Sequence, residues 1–329
     1  MKVAVVGVGH LGKIHARIYH QLPNVDLVAV VDVDKNKATE VATLYETVGI
    51  TDYKELFGKV DAVSVASFTK THHAIVKDFL EQGIHVLVEK PLAATVEEAT
   101  ELVETAKKHN CTLQVGHVER FNPVVEAMMA KNIVPKFIQA ERCSPFRFRS
   151  GDIGVILDMM IHDIDIVRAM AKSKVVDVEA YGTNFLGQHE DIVQARLKFD
   201  SGCIAVLLAS RVALEPSRKI KVFAENYYMD INYATGEGKC FQVPSKEKLL
   251  EWNLQAGIPK GCEGQTFESI FYGKILKEEP FNVIKHEPLY EELNSFIQAI
   301  EQKKRPLVDG EDGLEVVKIA HWIMKELRK

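Results

Sequence analysis

Short β-branched runs alternate with stretches of helical period through the first third of the chain. Residues 3–6, 25–31, 62–66, 85–88 and 112–115 read as strands, with 11–22, 35–47, 71–82 and 95–109 as the helices between them. In the third helix Ile75, Phe79 and Leu80 form an apolar stripe that Gly83 terminates. Strand and helix in alternation predict a doubly wound parallel sheet with helices on both faces. Farther along the period shortens to two. Residues 175–183, 191–199, 203–210, 219–225 and 228–233 read as consecutive strands, with Asp200-Ser201-Gly202 as a hairpin turn. The expected class is α/β, with a dinucleotide-binding type of domain over 1–118 and a second, β-rich domain over 119–329. The crossover is expected at His117-Val118-Glu119-Arg120-Phe121-Asn122-Pro123, where the strand stops at Gly116 and Pro123 can open a helix. Leu289, Leu293, Phe296, Ile297 and Ile300, then residues 314–327, carry helical stripes expected in the core of the second domain. The glycine-bearing stretch 234–285 reads as irregular.

Composition narrows the classes. The 41 Lys and Arg against 46 Asp and Glu leave a net charge of −5, which excludes a nucleic-acid binder held by bulk positive charge. The chain is 47% hydrophobic and 26% charged over 329 residues, the make-up of a globular protein long enough for two domains. No apolar run approaches the roughly 20 residues needed to cross a bilayer. Cys111, Cys143, Cys203, Cys240 and Cys262 are odd in number and form no Cys-x-x-Cys pair, as expected in a reducing compartment without structural zinc. The glycines that follow Val3–Val6 argue against a signal peptide, so a cytoplasmic protein is expected.

Gly7-Val8-Gly9-His10-Leu11-Gly12 directly follows the first strand and opens the first helix. In that setting Gly7 permits the tight turn, Gly9 lets backbone approach a pyrophosphate, and Gly12 lets helix and strand pack closely. Helix N–H groups near His10 and Leu11 would receive the anion. Asp32, twenty residues after Gly12, ends the second apolar strand, where a carboxylate accepts hydrogen bonds from a ribose diol and repels a 2′-phosphate. The cofactor expected is NAD, with NADP less favoured. Lys35 and Lys37 are the counter-argument, being cations able to neutralise such a phosphate.

Glu89-Lys90-Pro91 follows the strand 85–88 at the carboxyl edge of the sheet, where open α/β folds bind ligands. Pro91 disfavours helix at Lys90 and permits a cis bond, so the lysine stands on a stiff extended segment. An ammonium there can donate to a substrate hydroxyl and stabilise the alkoxide that develops as hydride leaves.

The glycine turn, the Glu89-Lys90-Pro91 step and a later Asp158-Met159-Met160-Ile161-His162-Asp163 together resemble the glucose-fructose oxidoreductase, inositol dehydrogenase and rhizopine-catabolism (Gfo/Idh/MocA) family, across essentially the whole chain. The resemblance implies a Rossmann domain, a second α/β domain on a large open, mostly antiparallel sheet, and NAD(P)-dependent oxidation of sugars or cyclitols. It places Ser67, Thr69 and His72 beside the cofactor together with Glu89 and Lys90, although Phe68 stands where proline is usual. Asp158 and His162 lie i, i+4 in a helix expected over 156–169, which would put both on one face with Cβ atoms about 5–6 Å apart. In that reading His162 is the general base, Lys90 the hydroxyl donor and Asp158 the carboxylate that orients the imidazole. No His-x-x-x-His or Cys/His cluster calls for a metal.

Arg120 and Asn122 at the crossover, and Arg147 and Arg149 at i, i+2 ahead of the catalytic helix, are candidate substrate contacts. With Arg142, Arg211, Arg218 and Lys219 they suggest local positive charge suited to a phosphorylated or nucleotide-linked sugar. The segments 117–123 and 158–165, with Met160 where many members carry glycine, look most like the branch that oxidises the 3-hydroxyl of UDP-N-acetylglucosamine. That branch makes a 3-keto nucleotide sugar for an aminotransferase on the route to lipid A. The alternatives are a dehydrogenase of another sugar or an inositol-type cyclitol, a non-catalytic dinucleotide-sensing regulator, and a reductase of biliverdin-like or dihydrodiol substrates. A sheet with one bare face invites a second subunit, so a homodimer or homotetramer is expected, with no nucleic-acid or membrane partner.

Overall fold

The computed structural model describes residues 1–146, 153–251, 264–266, 270–271 and 275–328. The chain forms two compact units, Met1–Phe121 with His286–Trp322, and Asn122–Lys285 with Ile323–Lys329.

In the first unit β1 (Lys2–Val6), β2 (Asp26–Val31), β3 (Val48–Ile50), β4 (Ala62–Val65), β5 (His85–Glu89) and β6 (Leu113–Gly116) form one sheet. Its order is β3-β2-β1-β4-β5-β6 and every pair is parallel. The edge strand β3 is the one the periodicity missed, since three residues carry no period. Helices α1 (His10–Gln21), α2 (Lys35–Leu44), α3 (Thr69–Glu81) and α4 (Val96–Lys108) make the crossovers. Successive strand residues point to opposite faces, so Val3, Val5 and Val30 pack with the α1 and α2 stripes while Ala4, Val6 and Val63 pack with those of α3 and α4. Both faces are therefore dry, which is why these strands read as continuous apolar runs. Thr95 and Glu98 close a capping box on α4.

The second unit contains α5 (Pro123–Ala130), β7 (Pro135–Cys143), α6 (Ile161–Ala171), β8 (Val175–Thr183), β9 (Ile192–Phe199), β10 (Ile204–Ser210), β11 (Ser217–Ala224), β12 (Tyr227–Asn232), β13 (Glu237–Gln242), α7 (Lys246–Glu251) and β14 (Lys277–Glu279). The eight strands form one sheet in the order β14-β13-β12-β11-β7-β10-β9-β8. Only the β7–β10 pair is parallel. The described residues of 234–285, which include β13, α7 and β14, are thus less irregular than the glycines suggest. Glu237–Gln242 has little strand propensity of its own, but a turn at Gly236, with φ of 68°, folds it back on β12. Along β9 every second residue is buried, and Gln194, Arg196 and Lys198 face solvent.

The chain then returns to the first unit. In α8 (Pro288–Glu301) Leu293, Phe296 and Ile297 join the core over α1, and in α9 (Gly310–Glu326) Leu314 and Val317 join the core beneath α3 and α4. An isolated bridge between Gln114 and Asp309 ties this return to β6. Residues 286–322 therefore lie with the parallel sheet and not with the second domain expected from order along the chain. Their stripes complete two apolar faces that the first four helices leave partly open. Among the described residues no helix is long and apolar enough to cross a membrane, and no cluster of His, Cys, Asp and Glu could hold a metal ion.

Candidate active site

β1, β4 and β5 are neighbours, so the segments leaving their carboxyl ends stand side by side. The first is the glycine turn. Gly7 has φ of +88°, and its N–H donates to Val31 O at 2.8 Å. A Cβ on Gly7 would lie 2.8 Å from Ala66 O, and one on Gly12 would lie 1.8 Å from Gly7 O. Backbone thus closes both positions to any side chain. Gly9 differs, because a Cβ added there meets no atom within 4 Å. Gly9 is also the N-cap of α1 and brings no side-chain cap to its N–H groups. An open concavity at an uncapped helix start fits a pyrophosphate. Exposed His10 and Leu11 form its rim. Asp32 accepts from Val8 N–H (3.0 Å) on Oδ2 and from Asp34 N–H (2.9 Å) on Oδ1. These bonds fix the carboxylate beside the turn and leave lone pairs for a ribose diol. Lys37 leans toward Asp34, with Nζ 4.0 Å from Oδ2. These residues fit NAD.

The second segment follows β4. Thr71 donates its hydroxyl to Phe68 O at 2.7 Å, so at 2.8 Å the Ser67 hydroxyl is the donor to Thr71 Oγ1. Thr69 begins α3, and Phe68 at its N-cap stands out into solvent, 73% exposed. His72 is 1% exposed, with Nδ1 2.9 Å from Pro91 O and Nε2 3.1 Å from Ser67 O. Burial outweighs these carbonyls and lowers its pKa, so the neutral ring has one N–H to donate between them. The expected cofactor contact from the His72 side chain is therefore corrected. The ring is interior and ties the Ser67 loop to Pro91.

The third segment is the Glu89-Lys90-Pro91 step. Its Lys90–Pro91 bond is cis, and Lys90 is half-buried at a bend directly after β5, not on the extended segment expected. Glu89, expected beside the cofactor, is 8% exposed. Its carboxylate turns inward, 3.1 Å from His15 Nε2, and accepts from the Lys90 N–H at 3.3 Å. A strand continuing at the end of β5 alternates its faces, which sends Glu89 inward.

In the second unit the segment carrying Asp158 and His162 is not one continuous α-helix. Ile156–Met160 forms a π turn, and α6 starts only at Ile161. The wider i→i+5 bonding of that turn removes the α-helical basis for the 5–6 Å Cβ spacing expected between the two residues. The entry is anchored by Glu190, whose Oε1 accepts from Ile156 N–H at 3.3 Å, and by Arg211, which donates from Nη1 to Ile153 O at 2.6 Å. Asp158 and His162 are both half-buried.

The geometry can be set against known proteins. A family model described as "Oxidoreductase family, NAD-binding Rossmann fold" (Gfo/Idh/MocA) matches residues 1–117, and the model of that family's C-terminal domain matches 132–228. UDP-N-acetylglucosamine 3-dehydrogenase of Acidithiobacillus ferrooxidans is 30% identical over 321 residues, covering 97% of this chain and 95% of its own. The chain belongs to the Gfo/Idh/MocA oxidoreductase family. A solved structure of that dehydrogenase superposes with a TM-score of 0.86 at 29% identity, over 99% of this chain and 97% of the other. The myo-inositol 2-dehydrogenase of Thermotoga maritima is 26% identical over 351 residues, covering 100% of this chain and 97% of its own. This Gfo/Idh/MocA member is an NAD-binding dehydrogenase acting on CH–OH groups.

Several polar residues of this family member do other work than their positions in the sequence suggested. Arg142 forms a buried bidentate pair with Asp163, Nε to Oδ2 at 2.9 Å and Nη2 to Oδ1 at 3.0 Å, which ties α6 to β7. Arg211 pairs with Asp191 at 2.6 Å, also buried. Both guanidiniums, expected to add positive charge for a substrate phosphate, are buried in these internal pairs. Asn122 caps α5 by accepting from Val124 N–H at 3.2 Å, and Arg120 is half-buried on a short 3-10 turn, Val118–Phe121. Arg147 and Arg149 lie outside the described residues, as does Cys262. Periodicity missed His15 and Ser64. The available signal was a histidine on the same stripe of α1 as Gly12, Ile18 and Tyr19, a position where an apolar residue would suffice.

Proposed function

We propose that this enzyme oxidises a secondary hydroxyl of a sugar, specifically C3 of UDP-N-acetylglucosamine, to a 3-keto nucleotide sugar suited to transamination. The full-length likeness to the UDP-N-acetylglucosamine 3-dehydrogenase of A. ferrooxidans carries the choice of substrate. Gly7, Gly9, Gly12 and Asp32 would hold NAD+, which when bound would supply the hydride acceptor. Lys90 donates a hydrogen bond to the reacting hydroxyl and stabilises the charge that develops on its oxygen. His162 takes the hydroxyl proton, and Asp158 orients and supports the imidazolium. With Arg142 and Arg211 engaged internally, Arg120, Arg147 and Arg149 are the cations proposed for the diphosphate. The second reading, an inositol dehydrogenase, is favoured by the full-length match to the T. maritima enzyme. Formation of NADH with UDP-N-acetylglucosamine tests the choice. Turnover of free inositol or glucose but not of the nucleotide sugar overturns it.

The bare face of the eight-stranded sheet supports association with a second copy. Across β7, β11 and β12, Phe137 meets Phe223 edge to face at 6.1 Å between centroids and Phe223 stacks on Tyr228 at 5.0 Å, next to half-buried Ile204, Val206 and Leu208. Light scattering that returns the mass of one chain refutes this association.

A further inference from the structure

Three buried polar groups from three elements meet behind the Glu89-Lys90-Pro91 step. His15 of α1 is 0% exposed, Ser64 of β4 is 0%, and Glu89 of β5 is 8%. The Ser64 hydroxyl lies 2.7 Å from His15 Nδ1, and His15 Nε2 lies 3.1 Å from Glu89 Oε1. Burial by itself would raise the Glu89 carboxyl. The His15 hydrogen bond and charge, with the charge of Lys90, outweigh burial and hold it below the usual carboxylate range. An ionised Glu89 only accepts, which places a proton on His15 Nε2, with the Ser64 hydroxyl at the other ring nitrogen. The other carboxylate oxygen takes the Lys90 N–H. Gly116, opposite Glu89 in β6, leaves room for it, since a Cβ there would lie 3.1 Å from the same oxygen.

A helix packed on a sheet needs no such chain. Apolar residues of similar volume fill an interior at least as stably as a buried ionic pair, so this one has another use. We propose that His15 is a positioning residue for the Lys90 ammonium: it holds the Glu89 carboxylate in the interior, and Glu89 holds the backbone on which Lys90 stands. The helix that begins at the cofactor turn thereby also sets the residue proposed to touch the substrate hydroxyl. This rests on the reading of Lys90 as hydroxyl donor.

The test compares His15→Met, which removes both hydrogen bonds, with His15→Gln, which keeps a donor for Glu89. Hydrogen exchange at the Lys90 amide, followed by NMR, needs no turnover. It should speed up by about 10-fold or more in His15→Met and far less in His15→Gln. Turnover should fall by about 10²-fold in His15→Met with NAD+ affinity retained, and the same change in a Lys90→Met background should cost nothing more. Wild-type exchange in His15→Met, or losses that multiply with Lys90→Met, overturn the proposal. Full turnover by Lys90→Met alone instead overturns the role given to Lys90. Should His15→Met not fold, Ser64→Ala carries the same amide measurement, and a Lys90 amide unchanged there counts against the proposal.

Discussion

The three glycines of the cofactor turn make separable predictions, because the structure gives each a different reason to be glycine. Alanine at Gly9 adds a methyl that meets nothing within 4 Å, at a residue with φ of −67° and ψ of −155°. The remaining cost is that of alanine at an N-cap, at most about 1 kcal/mol. Alanine at Gly12 places its Cβ 1.8 Å from Gly7 O, a backbone atom that cannot swing aside. That overlap should cost at least about 3 kcal/mol, the upper end of ordinary overpacking. Cofactor binding should show the reverse order for what still folds. The Gly9 methyl occupies the concavity through which a pyrophosphate reaches the helix N–H groups, and a loss of about 10- to 10²-fold in NAD+ affinity is expected, or about 1.4 to 2.8 kcal/mol. Thermal melting with and without NAD+, with calorimetric titration, checks both halves. Gly9→Ala should melt near wild type and lose most of its stabilisation by NAD+. A Gly9→Ala protein that binds NAD+ normally, or one destabilised as much as Gly12→Ala, refutes the assignment of the turn.

Lys90→Met should keep NAD+ affinity while turnover falls by about 10²-fold or more, as on removal of a donor that stabilises transition-state charge; equal loss of both, read by titration and initial rates, would make Lys90 structural. Arg142→Met leaves Asp163 buried without its bidentate partner and should cost about 3–5 kcal/mol in chemical denaturation, most of it restored by adding Asp163→Leu. The lowered pKa of His72 keeps the folded ring neutral where the unfolded one, at 6.5, takes a proton. The unfolded state then binds more protons, so stability present above pH 6.5 is lost as pH falls below it, by at most about 1.4 kcal/mol per unit. His72→Asn should flatten that part of the stability curve in denaturant titrations from neutral to mildly acid pH. An unchanged slope would mean that the ring is charged in the folded protein.

The π turn at Ile156–Met160 shows where local pattern fails. Leu157, Ile161, Ile164 and Val167 fit a continuous α-helix by spacing, and nothing in those residues announces a wider turn. The entry is pinned by Glu190 and Arg211, which lie 34 and 58 residues from their partners. The partners of two arginines escape local pattern for the same reason. Arg142 and Arg211 look available along the chain, but each meets its aspartate about 20 residues away across a strand or a helix.

What this chain settled locally is the first sheet and the cofactor turn. A strand that runs into Gly7, a helix that begins after Gly9 and an acid at the next strand end depend on backbone sterics within a few residues, and so can be read in order. The cis step at Pro91 and the cap at Asn122 are of the same kind. What folding in three dimensions decided is the direction of each polar side chain and the partner it finds. His72 turned to Pro91, Glu89 turned inward to His15, and the stripes of α8 and α9 closed the first unit from the far end of the chain. A buried polar group must find a partner wherever packing supplies one, and packing joins segments whose separation along the chain carries no information about their meeting.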